Sequence, residues 1–352
     1  MDSIARQDDE IERTLDCGLL DLWYGLIPSS AVGTAPVALK RLGQELVLWR
    51  DSAGTVHVQA DRCPHRGARL SLGRVVGDDL SCWYHGVKVD GDGAIADVPA
   101  LPGCPLVGRH GVRTYPSREL AGVIFAYFGL DEREAPIPFE APAEFGDPRW
   151  SNFVCSAIWK TNYRYAVENV VDPMHGSYLH ADSFTLAYGM KDDVLRIEER
   201  ANGFHLARTK QKDVNFDWVE FFEAGAHWQR LDIPYPKSGG PGGPFRILGT
   251  ITPIDEAASQ IFFWRLRQVE GWERDLWRFL YRDRLEKRHW DVLEQDRIIA
   301  ETTPADARYH EMLYQHDLGI TRYRKLLRAR AKAQLEKARG LATKSKRVTA
   351  LH

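Results

Sequence analysis

Cysteine is scarce in this chain: five in 352 residues, at positions 17, 63, 82, 104 and 155. So few, and an odd number, exclude the disulfide-stapled scaffold of a small secreted protein. Long hydrophobic runs are missing too. No stretch approaches the roughly 20 apolar residues that cross a bilayer as a helix, so no membrane partner is expected. There is no Gly-x-Gly-x-x-Gly unit, which excludes nicotinamide or flavin binding by that fingerprint. No internal repeat period or low-complexity tract is present. The opening stretch, MDSIARQDDEIERTLD, is acidic and polar, unlike a signal or transit peptide. Such a chain has room for one large domain or two ordinary ones, and a cytoplasmic location is expected.

A large net charge is also lacking, at −2, but the charge is unevenly placed. Between 322 and 347 there are eleven Lys/Arg against one acid, Glu336, so an acidic body precedes a basic tail. Leu326, Leu327, Ala331 and Leu335 put a thin apolar stripe on that tail at helical spacing. It reads as a C-terminal helix packed by its stripe, or as a docking surface for an acidic redox partner. Nucleic acid is not an expected partner, because neither aromatic interleaving nor a recognised module accompanies the charge.

From about 35 to 130 the pattern is short strands broken by Gly, Pro and Asp. VALKRL and ELVLWRDSAGTVHVQA alternate around DSAG as a hairpin does, and GVIFAYFG (122–129) reads as another strand. The Pro- and acid-rich stretch 131–150 is a plausible linker. Beyond it, NFVCSAIWK reads as a strand leading into a helix over 161–175. Strand-like runs follow at 193–210, 216–223, 245–252 and 259–268, with the loop YPKSGGPGGP (235–244) among them. A long amphipathic helix is predicted over 270–301. The expected organisation is an all-β domain followed by an α+β one.

The β-rich part contains Cys63, His65, Cys82 and His85: Cys-x-His, sixteen residues, then Cys-x-x-His. Structural zinc sites usually pair Cys with Cys and His with His. Here each cluster mixes one of each. That order suits a [2Fe–2S] cluster with two thiolates on one iron and two imidazoles on the other, with zinc as the alternative. Imidazoles in place of thiolates remove negative charge and raise the reduction potential.

A second constellation lies in AVENVVDPMHGSYLHADSF (166–184). On one continuous helix, Glu168, Asp172 and His175 would share a face, with Pro173 kinking it, and His180 follows five residues on. Two histidines and a carboxylate with open positions form the facial triad that holds Fe(II) in non-haem oxygenases. Cys17, Cys104 and Cys155 have no partner pattern and read as inert.

CPHRGARLSLG…CWYHGVKVDGDG resembles the Rieske segment of the Rieske non-haem iron aromatic-ring-hydroxylating oxygenases, specifically their large (α) subunits. Trp83 and Val87 depart from the family's usual Pro and Trp, at positions that affect cluster packing and solvent access rather than ligation. ENVVDPMHGSYLH is similar to the family's Asp-x2-His-x4–5-His motif. The resemblance implies His175 and His180 as iron ligands, with Asp296 in VLEQDRII as the third. It implies that Asp172 bridges a cluster histidine of one subunit to an iron histidine of its neighbour, orienting His175. Glu168 stands where several members carry Asn, as an extra carboxylate near the metal or a hydrogen-bonding helix residue.

The implied fold is α+β, with a small all-β Rieske domain over 35–135. A larger catalytic domain over 136–352 carries an antiparallel sheet flanked by helices (helix-grip type) and the basic C-terminal helix, and 1–34 packs with it. The implied activity is that of a terminal oxygenase using O2 and electrons from an NAD(P)H-linked reductase, with or without a ferredoxin, in a homotrimer. It would hydroxylate an aromatic or other hydrophobic ring compound. The alternatives are an O- or N-demethylating monooxygenase of the same family and a Rieske electron carrier. Expected pocket residues are Glu168, Phe216, Trp218, Phe222 and Arg246, with Arg246 or Arg230 available to a substrate carboxylate.

Overall fold

The alternating runs between 36 and 60 fold as their pattern predicts. In the computed structural model, which describes residues 2–183, 188–214, 216–237 and 243–349, strand β1 is Leu22–Pro28, β2 is Val37–Arg41, β3 is Gln44–Arg50 and β4 is Val56–Ala60. Strands β2, β3 and β4 pair antiparallel in order, and the turn around DSAG joins β3 to β4. Short strands β5 (Arg74–Val76), β6 (Asp79–Ser81), β7 (Lys88–Val89) and β8 (Ile95–Asp97) make a second meander. Strand β10 (Val123–Phe128), buried at every residue, lies between β1 and β9 (Ser117–Leu120).

The chain divides into two units, 21–137 and 1–20 with 138–352. The division at 137 falls inside the Pro-rich linker. The expected N-terminal segment 1–34 is cut instead of moving as a whole. Residues 22–28 form a strand on β10, Leu22 opposite Phe128 and Pro28 opposite Val123. A buried strand must satisfy its backbone on a neighbouring ladder, so 21–34 belongs with the β unit. Only 1–20, with helix α1 (Asp2–Cys17), goes with the larger unit.

That larger unit is built on a seven-stranded antiparallel sheet. Its strands are β11 (Trp150–Trp159), β12 (Leu195–Arg200), β13 (Gly203–Arg208), β14 (Trp218–Glu223), β15 (His227–Ile233), β16 (Phe245–Pro253) and β17 (Ser259–Gln268). The spatial order is β11-β17-β16-β15-β14-β13-β12. Strand β15 is one the sequence pattern did not single out. The centre of the YPKSGGPGGP loop, 238–242, lies outside the described residues.

The helices are a one-turn α2 (Ala143–Gly146), α3 (Tyr163–Val170), a one-turn α4 (Gly176–Leu179), α5 (Gly271–Leu280), α6 (Glu286–Thr302) and α7 (Leu318–Thr349). Helix α3 starts at Asn162, whose side chain accepts from the Arg164 N–H. It ends at Val170, five residues short of the predicted end. Pro173 lacks an N–H and disfavours helical backbone in the residue before it. Asp172 therefore turns outside the helix, its Oδ1 accepting from the Met174 N–H at 2.7 Å. Glu168, Asp172 and His175 do not share a helical face. The long helix over 270–301 forms as α5 and α6, joined by a π-helical turn at Tyr281–Leu285. No helix of the described residues is long and apolar enough to cross a membrane.

The basic tail is α7, packed by buried Tyr323, Leu327 and Ala331. Its arginines meet acids of the same unit: Arg322 with Glu199, Arg324 with Glu168 and Glu311, Arg328 with Asp8 and Glu12, Arg330 with Glu223, Arg339 with Glu10. The packed-helix reading holds, and these five charges are already engaged within the molecule. Burial pushes the Glu223 carboxyl up, but His227 at 2.8 Å and Arg330 outweigh it and hold its pKa at about 2. A pKa held below the ordinary carboxylate range gives stability that is complete above pH ~5 and lost as the pH falls through about 2. This group should account for roughly 3 kcal/mol of acid-dependent stability. Glu223→Gln should flatten the stability–pH curve over that window. Superimposable wild-type and variant curves would count against the pairing.

Candidate metal centres

In the smaller unit, two loops with one hydrogen-bond plan present the Cys/His clusters. The cysteine N–H of each donates to the carbonyl five residues on, Cys63 to Ala68 at 2.8 Å and Cys82 to Val87 at 2.9 Å. The glycine four residues on donates back to the cysteine carbonyl, Gly67 and Gly86 each at 2.9 Å. Closing the turns takes left-handed backbone, φ +75° at Gly67 and +72° at Gly86, where a side chain would be strained.

The cysteines point inward, both 3% exposed, among Val47, Trp49, Leu70, Leu80 and Val89. The histidines face outward, with ring centroids 4.7 Å apart. Both cysteines are free, although the two thiols lie within hydrogen-bond reach of each other. Burial pushes the Cys63 thiol up, while the His65 and Arg66 N–H groups aimed at its sulfur pull the other way. Two buried sulfurs, that of Cys63 facing amide donors, and two outward imidazoles fit a two-iron cluster with thiolates on the inner iron and imidazoles on the outer one. Trp83 and Tyr84 are exposed beside His85, and the Tyr84 ring lies 3.7 Å from the His85 ring.

In the larger unit, His175, His180 and Asp296 come together, with one donor atom from each within 4.8 Å of the others. His180 Nε2 lies 3.2 Å and His175 Nε2 3.5 Å from Asp296 Oδ1. The far nitrogens are occupied. His180 Nδ1 meets Gln295 Oε1 at 2.7 Å, and His175 Nδ1 meets the Asp172 carbonyl at 2.5 Å. Each oxygen can only accept, so each Nδ1 carries the proton, and both Nε2 lone pairs face a carboxylate. Two imidazole nitrogens and a carboxylate converging at these distances make a donor set for a cation. Burial pushes the His180 pKa down, yet the Asp296 carboxylate more than offsets this and raises it. Asn169 Nδ2 donates to Asp296 Oδ1 at 3.4 Å. The donor set and the proton-bearing Nδ1 atoms fit a two-histidine, one-carboxylate iron site.

Not every expected residue is at this site. Asp172 holds His175 through its backbone carbonyl, while its carboxylate Oδ2 is 3.9 Å from the ring. It lines a cleft of about 540 Å³ with Glu168, His175, Tyr178 and Ile299. Glu168 is taken by Arg324, at 2.7 Å to each oxygen, so it is a structural ion-pair member and not a lining residue of the triad cavity.

Phe216 does line that cavity, its ring centroid 5.3 Å from that of His175. Trp218 stacks on His205 and Phe222 lies under Arg230. Alternation explains the difference. Leu231, Ile247 and Arg265 are register partners and line the cavity, so the residues one place away face the other side. Trp218, Phe222, Arg230 and Arg246 have that opposite parity, whereas Phe216 precedes its strand with φ +49°. Arg246 pairs with Asp232 and Glu144, and Arg230 with Glu144 and Glu220, which corrects their expected role at a substrate.

Sequence reasoning missed Gln295, Asn169 and Arg265. The first stands beside Asp296 in VLEQDRII, but its partner His180 is 115 residues away. Gln295→Leu, which removes the acceptor that sets the His180 tautomer, should lower iron affinity at the triad roughly 10- to 100-fold. The cluster's visible spectrum should not change. Iron retention equal to wild type under graded chelation would show that Gln295 has no such role.

Each centre lies in a stretch that matches a known domain family. Residues 22–116 match the Rieske [2Fe-2S] domain, and 159–333 match the vanillate O-demethylase oxygenase C-terminal domain. The chain is 39% identical to 4beta-methylsterol monooxygenase of Methylococcus capsulatus, over 65% of this chain and 63% of that one. It is 33% identical to the phthalate 4,5-dioxygenase oxygenase subunit of Pseudomonas putida, over 65% and 54%. With the terminal oxygenase component of carbazole 1,9a-dioxygenase from Metapseudomonas resinovorans it shares 34%, over 47% and 44%. The matches thus span about half the length of these relatives. In fold, it superposes on the carbazole 1,9a-dioxygenase terminal oxygenase of Novosphingobium sp. KA1 with a TM-score of 0.75, covering 92% of this chain and 96% of that one at 21% identity. With a Rieske [2Fe-2S] domain followed by an oxygenase C-terminal domain, the chain belongs to the Rieske non-haem iron oxygenases.

Proposed function

We propose that this chain is the terminal oxygenase component of a multicomponent Rieske system, an oxidoreductase that hydroxylates an aromatic or other hydrophobic ring compound. The observation that carries this reading is the triad of His175, His180 and Asp296 opening on a cavity walled by Phe216, Leu231, Ile233, Ile247 and Phe263. An electron carrier has no use for a second metal site beside an apolar cavity. When bound, the cluster supplies single electrons and the mononuclear iron supplies dioxygen activation. The chain's own part is positional. Gln295 and the Asp172 carbonyl hold the Nδ1 side of each ring and turn both Nε2 atoms toward Asp296, Asn169 steadies Asp296, and the apolar wall excludes water and receives the ring.

Asp172 supports a role in communication between copies. Its carboxylate lies in a cleft beside His175, three residues from the histidine it steers. In a homotrimer a neighbouring copy's His85 would reach it there. A separate reductase, with or without a ferredoxin, would deliver the electrons. A carbazole 1,9a-dioxygenase oxygenase has been captured with its ferredoxin, and the same kind of partner suits the exposed Trp83 and Tyr84 beside His85. Five free cysteines suit the cytoplasm. O-Demethylation is the second reading, favoured by the match of 159–333 to a demethylase domain.

Product analysis against a panel of ring compounds and methoxylated analogues, with a reconstituted reductase, tests this function. Oxygenated or demethylated products are expected; reduction of the cluster without any product would reject it. Asp172→Asn retains the Oδ1 that accepts from Met174 and should keep both metals. It should nearly abolish turnover, and normal turnover would remove the bridging role.

A further inference from the structure

Strand β17 is buried from Ser259 to Leu266, and in it stands Arg265, only 3% exposed. An arginine is almost never buried this deeply without a partner. Its register neighbours are Phe153 on β11 and Ile247 on β16, and neither offers a side-chain acceptor. Its Nε and Nη1 are sealed from solvent and have no hydrogen-bond partner. Among the described residues no carboxylate lies within ion-pair distance of it. The nearby ionisable groups do not compensate it, since burial pushes the Tyr281 phenol far up and the His289 imidazole down to about 3, leaving both neutral. Arg230 and Arg246, by contrast, have two acidic partners each on the other face of the sheet.

Arg265 lines the same cavity as His175, His180 and Asp296. That cavity, of about 80 Å³, holds more than a single water. A divalent ion on a single carboxylate leaves the cavity net positive, and Arg265 adds to it. The Arg265 guanidinium lies 5.8 Å from the Phe263 ring centroid, and a buried cation with no ion-pair partner in a largely apolar cavity lacks one thing, an anion.

We infer that Arg265 is the anion-recognition residue of the substrate cavity, and that the substrate is a ring compound bearing a carboxylate. The guanidinium receives the carboxylate while the ring lies along Phe216, Leu231 and Ile247, directed toward the triad. Planar guanidinium and planar carboxylate match in a way an ammonium does not. This deepens the oxygenase reading and rests on it, but it is tested by binding alone.

The metal-loaded protein is titrated calorimetrically with benzoate and naphthoate, each against its uncharged methyl ester. Wild type should prefer the acids. Arg265→Met should lose affinity for the acids roughly 10- to 100-fold while binding the esters as before. Its unfolding midpoint should not fall, because the unpaired buried charge is gone. Arg265→Lys, which keeps the charge, should retain part of the preference. An ester bound as well as its acid by wild type, or equal losses of acid and ester in Arg265→Met, overturns the inference. So does acetate binding as tightly as the aromatic acids, which would mark a small-anion site only. If the acids bind through Arg265 and no product ever forms, the oxygenase reading fails and this one stands.

Discussion

Three potential metal ligands, His175, His180 and Asp296, meet in the larger unit, and much of the surrounding structure holds them in place. An imidazole left to itself exchanges its proton between two nitrogens. Here each Nδ1 is held to an oxygen that can only accept, Gln295 Oε1 for His180 and the Asp172 carbonyl for His175. The proton is thereby kept on the far side of each ring. What faces Asp296 is the Nε2 atom of each ring, at 3.2 and 3.5 Å, the nitrogen through which each would bind a cation.

Holding the donors there requires that the chain break its helix at the right place. Pro173 ends helical backbone ahead of Asp172, and the turn that follows frees the Asp172 carbonyl to reach His175 instead of closing a helical bond. Helix α6 supplies Gln295 and Asp296 side by side, one to the outer nitrogen of His180 and the other to its inner one. The seven-stranded sheet then closes the cavity with one parity of side chains. Because strand side chains alternate, one residue's offset separates Arg265, which faces the triad, from Arg246 on the next strand, which faces two carboxylates.

The β unit solves a different problem with a repeated device. Two loops of equal span, each closed by a left-handed glycine, bury a thiol and expose an imidazole. Such a division suits a redox group that must be insulated on one side and approachable on the other. The acidic body and basic tail noted in the sequence find their explanation within the larger unit, where α7 arginines meet acids from α1, β12 and β14.

The sequence by itself determined the chemistry. Cys63, His65, Cys82 and His85 lie within 23 residues of chain, and His175 and His180 within six. Spacing that short constrains geometry almost regardless of fold. It also determined the order of a β part and an α+β part, because period-two alternation is a local property. Three things were decided only by the tertiary structure, since each depends on residues far apart in the chain. One is the partnership of Asp296 and Gln295 with histidines more than a hundred residues earlier. Another is the fate of each arginine, which follows from strand register and not from composition. The last is the capture of Glu168 by Arg324, across 156 residues, which turns a plausible metal carboxylate into half of an ion pair.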